Sequence, residues 1–141
     1  MENKQKVRIH LRTRQNQAGD ETLFNQKFMG ELSRISGKHY LRYEEPNENG
    51  VAQVMLKISP EEILLTRKQE NLRLQLPLKL GEKSPVRYHT AYGALDLMVE
   101  TKELLIEVEA TTNQGVIKAE YDLYSGQELL GQYKLRLHFG Q

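Results

Sequence analysis

The residues best able to carry acid–base or metal chemistry are four histidines, His10, His39, His89 and His138, and their spacing supports neither. No two stand four apart on a helical turn and no His-Glu-x-x-His run occurs, so a metal site would have to be assembled wholly by tertiary contact. With no Cys in the chain, thiol catalysis and thiolate-bound zinc are excluded. Gly-x-Ser-x-Gly, Gly-x-x-x-x-Gly-Lys and Gly-x-Gly-x-x-Gly are all missing. Glu44 and Glu45 are adjacent, and a strand would point them to opposite faces, so they do not form an acid/base pair. The pattern argues against an enzyme, and nothing in it calls for a metal or a cofactor.

Two constellations fit binding instead. In a strand, Tyr88, Thr90 and Tyr92 share one face ahead of Gly93, Tyr43 and Glu45 share another, and Arg67 follows Ile63 and Leu65. Turned into an interior, Tyr43, Glu45, Arg67, Tyr88, Thr90 and Tyr92 would orient a small ligand, since pockets are mostly apolar with a few placed polar groups. The same residues could equally form a core network in which tyrosine hydroxyls cap backbone groups and Arg67 pairs with Glu45. The second constellation is basic. If the first and last strands pair, Arg8, His10 and Arg12 lie beside Lys134, Arg136 and His138 as an outward stripe for an anionic partner. On the competing reading the stripe is a solvated face whose cations pair with Glu107, Glu109, Glu120 and Asp122, each pair contributing roughly 0.2–1 kcal/mol.

The elements that must position these groups show in the alternation. Residues 72–80 place Leu at every second position with Arg73, Gln75, Pro77 and Lys79 between, a period of two that marks a half-buried strand. Val7, Ile9 and Leu11 repeat it, as do Leu104, Ile106 and Val108, and Tyr133, Leu135, Leu137 and Phe139. Pro77 lacks a ladder donor, so its strand should be an edge, a bulge or a place where pairing stops. Turn signals such as Ala18-Gly19-Asp20, Ser36-Gly37, Asn49-Gly50 and Ser125-Gly126 separate the runs. Short strands at this spacing predict an all-β antiparallel sheet in hairpin order, closed as a barrel or folded as a sandwich. Two stretches admit helix as well. In Asp20–Ile35, Phe24, Phe28, Leu32 and Ile35 suit one helix face while Phe24, Phe28 and Leu32 fit a strand face equally well, and Ser59-Pro60-Glu61-Glu62 reads as a helix start before a short apolar run. We read both as strand.

The chain has 141 residues, a formal net charge of +1, 28% charged and 38% hydrophobic residues, which suits one domain over residues 1–141. The balanced charge argues against a nucleic-acid binder. Lys4, Lys6 and Arg8 have no apolar stretch behind them that could serve as a signal peptide, and no segment has the apolar length of a membrane helix, so a cytoplasmic protein without membrane contact is expected.

Residues 36–45 (Ser-Gly-Lys-His-Tyr-Leu-Arg-Tyr-Glu-Glu), then Tyr88-His89-Thr90-Ala91-Tyr92-Gly93, Thr101, and Gly115-Val116-Ile117 leading to Tyr121-Asp122-Leu123, resemble in order and spacing the YwiB-like family of small bacterial proteins. The resemblance covers most of the chain. It implies a single antiparallel up-and-down β-barrel, calycin-type and lipocalin-like, of roughly eight to ten strands, with strand in both ambiguous stretches. It implies no activity. The chain has no Trp and so lacks the Gly-x-Trp signature of true lipocalins.

Two functions follow as expectations: a non-enzymatic barrel holding a small amphipathic or anionic ligand inside, or a filled barrel acting through its surface as a protein-interaction or homo-oligomeric module. The sequence leaves monomer and homodimer both open.

Overall fold

The computed structural model describes residues 3–140. They form ten strands: β1 (Asn3–Gln17), β2 (Asp20–Ile35), β3 (Lys38–Asn47), β4 (Gly50–Ile58), β5 (Glu62–Gln69), β6 (Leu72–Lys79), β7 (Lys83–Thr90), β8 (Gly93–Glu109), β9 (Gln114–Ser125) and β10 (Glu128–Gly140). Each strand pairs antiparallel with its neighbour in sequence, and β10 returns to β1, so the sheet closes as an up-and-down barrel. Tight turns make this order accessible. At Ser36-Gly37 both central residues have positive φ, 52° and 79°, the two-residue geometry whose twist matches the flanking strands.

Alternation then sorts side chains. Val7, Ile9, Leu41, Leu56, Ile63, Leu78, Val99, Ile117 and Leu137 point inward and are almost wholly buried, each contributing about 1.5–3 kcal/mol by its removal from water. The intervening positions carry the charge, which is how 38% hydrophobic residues can line a complete barrel.

Neither ambiguous stretch is helical: the first is strand throughout, and the second is a short connection followed by β5. The 59–62 segment forms a turn, closed by Ser59 N–H donating to the Glu62 carbonyl at 2.9 Å. The apolar run after it is too short for a helix but aligns with β4, Ile63 opposite Ile58 and Leu65 opposite Leu56. Pro77 marks an interruption as its chemistry requires. β6 pairs with β7 only through Arg73, Leu74 and Gln75, and Pro77 lies beyond. There β8 takes over: buried Thr101, at a register shift in β8, accepts from Lys79 N–H on its hydroxyl at 3.1 Å and from Gly81 N–H on its carbonyl at 2.9 Å, and donates to the Glu82 carbonyl at 3.1 Å.

The strands differ in reach. β2 pairs with β3 only from Gly30 to Ile35, so residues 20–29 have β1 on one side and, among the described residues, no strand on the other. The departure is at Gly30, where a Cβ would sit 2.5 Å from Ile9 Cδ1 and 2.6 Å from the Arg42 carbonyl. Likewise β8 leaves β7 after Glu100, and residues 103–109 pair with β9 alone. Five long strands, in the order β2-β1-β10-β9-β8, therefore extend past the barrel wall at both edges.

Candidate functional site

The interior set splits into two groups. β3 carries Tyr43 and Glu45 inward, and β5 brings Arg67 opposite them through Val54 on the strand between. The Arg67 guanidinium holds the Glu45 carboxylate bidentately, Nη1 to Oε2 at 2.6 Å and Nη2 to Oε1 at 3.3 Å. Tyr43 is buried and stacks on Phe28 with ring centroids 4.8 Å apart. Burial, reinforced by the Glu45 charge and opposed by Arg67, pushes its hydroxyl pKa well up, so it stays a neutral phenol. A second stacked pair, Tyr121 on Tyr133 at 5.1 Å, adds aromatic mass to the core, and burial raises the Tyr121 hydroxyl in the same way.

Tyr88 and Thr90 do share the inward parity of β7, half-buried. Thr90 is committed to the hairpin: its hydroxyl donates to the Gly93 carbonyl at 2.9 Å and accepts from Tyr92 N–H at 3.1 Å. The expectation that Tyr92 lies on the same face is corrected. β7 ends at Thr90, which pairs with Gly93 at the start of β8, so Ala91 and Tyr92 form the turn and the Tyr92 side chain is fully exposed. Alternation predicted the parity but not where the strand stops.

The basic stripe assembles as the closing of the barrel requires, with His10 opposite His138, Arg12 opposite Arg136 and Arg14 opposite Lys134. Its Arg12, Arg14, Lys134 and Arg136, but neither histidine, line a concavity of about 890 Å³ on the outer face of the five-stranded sheet. The groove crosses the strands between two rungs. One rung reads Asn25, Arg12, Arg136, Lys118 and Leu105; the other reads Leu23, Arg14, Lys134, Glu120 and Glu103. Thr13, Leu135 and Ala119 lie between the rungs with inward parity, so their backbone forms the floor.

Charge divides unevenly between the rungs. In the second, Lys134 pairs with Glu120 at 3.2 Å, and Arg14 reaches Glu21 at 3.7 Å. In the first, Arg12, Arg136 and Lys118 stand on three adjacent strands over roughly 10 Å, and no carboxylate pairs with them among the described residues. Of the acids expected to neutralise the stripe, Glu120 does so. Asp122 is instead buried and held by Lys102 at 2.9 Å, a bond that raises the Lys102 pKa. Glu107 and Glu109 form no ion pair with the stripe among the described residues.

Arg136 donates from Nε to His138 Nε2 at 3.1 Å, which needs a neutral imidazole. Burial first, then the charges of Arg136, His10, Arg12 and Lys118, hold the His138 pKa below the usual histidine range. His10 meets Asn25 Oδ1 through Nε2 at 2.6 Å. Arg8, opposite Gly140, lies beyond the groove. Lys118 was missed in the sequence, although its position between buried Ile117 and Ala119 already fixes it outward. No group of three or more His, Asp or Glu side chains suited to a metal ion occurs among the described residues.

Comparison with known proteins agrees with the architecture. The chain is 23% identical over 122 residues to the protein named "Uncharacterized beta-barrel protein YwiB" of Bacillus subtilis (strain 168), covering 86% of this chain and 84% of that protein. It superposes on the crystal structure of the ywiB protein from Bacillus subtilis with a TM-score of 0.84 at 19% identity, over 97% of this chain and 92% of that one. That likeness shows the shared barrel. A family profile described as a domain of unknown function (DUF1934) matches residues 9–137, and the chain belongs to that family.

Proposed function

We propose that the protein is a non-enzymatic binding module whose ligand is a small amphipathic anion, held in the outer groove rather than inside the barrel. One observation carries the reading: Arg12, Arg136 and Lys118 form a cross-strand row without a carboxylate in a concave site. Like charges directly opposite each other on a sheet are destabilising, and a bound phosphate or carboxylate relieves that repulsion. Exposed Leu23 and Leu105 at the two ends of the groove give an alkyl chain an apolar contact. The interior competes poorly for such a ligand, because Arg67 is already paired bidentately and Tyr43, Tyr121 and Tyr133 are stacked on aromatic neighbours or on each other.

The test is calorimetric titration with octyl phosphate at low and at raised salt. Saturable binding that weakens with salt and disappears in Arg12→Glu/Arg136→Glu supports the groove. No binding at low salt, or binding unchanged in that variant, overturns it. Loss of binding in Arg67→Met with the groove variant unaffected would return the ligand to the interior.

A further inference from the structure

We propose that the free edge of β2 pairs with the same edge of a second copy of this chain, giving a two-fold dimer with a continuous sheet. This is independent of what the groove binds. Over residues 20–29 the β2 edge faces no strand among the described residues, so alternate N–H and C=O groups along it are open to another chain. Proteins that keep such an edge solitary guard it with proline, bulges or repeated charge. Here the segment Asp-Glu-Thr-Leu-Phe-Asn-Gln-Lys-Phe-Met has no proline, its register with β1 runs without a bulge, and Leu23, Phe24 and Met29 are 64%, 42% and 63% exposed.

The sequence of the edge is complementary to itself. Antiparallel pairing about Phe24 sets Phe24 against its symmetry mate on the inward side. On the outward side it sets Glu21 opposite Lys27 at one end and Lys27 opposite Glu21 at the other, with Leu23 opposite Asn25 between. Two ion pairs and a matched apolar centre arise from one register, and a two-fold contact of this kind closes after two chains. The other free edge is different in kind. Residues 103–109 of β8 carry Glu103, Glu107 and Glu109, and pairing that edge with itself about Ile106 sets Glu103 against Glu109 twice. The structure thus leaves one edge receptive and one repulsive. Because Leu23 and Asn25 also end the groove, the dimer brings the grooves of both copies to a common seam.

Sedimentation velocity of the full chain tests this, with far-UV circular dichroism to confirm the fold of each variant. The unmodified chain should sediment with the mass of two chains. Lys27→Glu turns both ion pairs repulsive and should weaken the dimer about tenfold. Glu21→Lys/Lys27→Glu inverts both pairs and should restore it. A single-chain mass at every accessible concentration overturns the proposal, as does a two-chain mass that Lys27→Glu leaves unchanged, and a double variant no tighter than Lys27→Glu removes the proposed register.

Discussion

Arg12 on β1 and Arg136 on β10 stand directly opposite each other at the seam where the barrel closes. Their neighbours along the rung, Asn25 and Lys118, offer no negative charge. Neither arginine has an ion pair among the described residues, but Arg136 donates to His138, so Arg12 is the cleaner of the two to remove. Arg12→Gln should stabilise the protein by about 0.2–1 kcal/mol in urea melts, with the gain shrinking as salt is added. The same change should weaken octyl phosphate binding. An arginine whose removal strengthens the fold and weakens binding is retained for a partner; a melt that moves the other way would show that Arg12 stabilises the barrel itself.

Arg67 makes the opposite case. Its guanidinium is partly exposed, but Glu45 is mostly buried, with side-chain exposures of 37% and 17%. Arg67→Met leaves a mostly buried carboxylate without its partner, and after allowance for solvent screening of the exposed arginine the expected cost is about 1–2 kcal/mol. Arg67→Met/Glu45→Gln should recover part of it. Equilibrium urea unfolding of the two variants reads the difference; equal stability in all three proteins would show that the pair does not hold the wall.

How much of this the sequence reveals depends on the range of the interaction. Inward parity is local, so Val7, Ile9 and Leu11 or Leu135, Leu137 and Phe139 declare themselves by alternation alone. Once the barrel closes, pairing of β1 with β10 follows from strand order, and with it His10 beside His138. Strand ends are less legible: Tyr92 has the parity of Tyr88 and Thr90, yet a two-residue hairpin intervenes and removes it from their face. Least visible are features created by unequal strand pairing. Nothing local says that β2 parts from β3 at Gly30, or that Thr101 bridges to β6 where it runs past β7, because both arise from distant backbone meeting at one place.

Thr101 is where that bridge can be tested. Its buried hydroxyl accepts from Lys79 N–H at 3.1 Å, at the edge of β6 that lacks β7. Thr101→Val keeps the shape and removes the acceptor, which should cost about 1–3 kcal/mol. The Lys79 amide should also exchange with solvent faster, whereas Thr101→Ser should preserve protection. Unchanged exchange at Lys79 in the valine variant would mean that the backbone contacts of Thr101 with Gly81 and Glu82 suffice.

The two histidines with lowered pKa contribute to the acid limb of stability. Burial, then Arg136, His10, Arg12 and Lys118, act on His138; burial, then Arg34, act on His39. An unfolded histidine titrates near about 6.5. Below that value the unfolded chain takes up protons that the folded imidazoles resist, so stability is complete above it and declines as pH falls through it towards the folded values. His138→Gln should therefore melt more nearly alike at about pH 7.5 and about pH 5.5 than the unmodified protein does. The groove adds a second sign to the same residue. An anion bound beside Arg12 and Lys118 offsets the charges that depress His138, so octyl phosphate should raise its pKa, and by reciprocity protonation of His138 should tighten binding. Titration of the His138 ring by NMR with and without octyl phosphate reads the shift directly: an upward move places the anion on the carboxylate-free rung, and an unmoved His138 with bound octyl phosphate places it elsewhere.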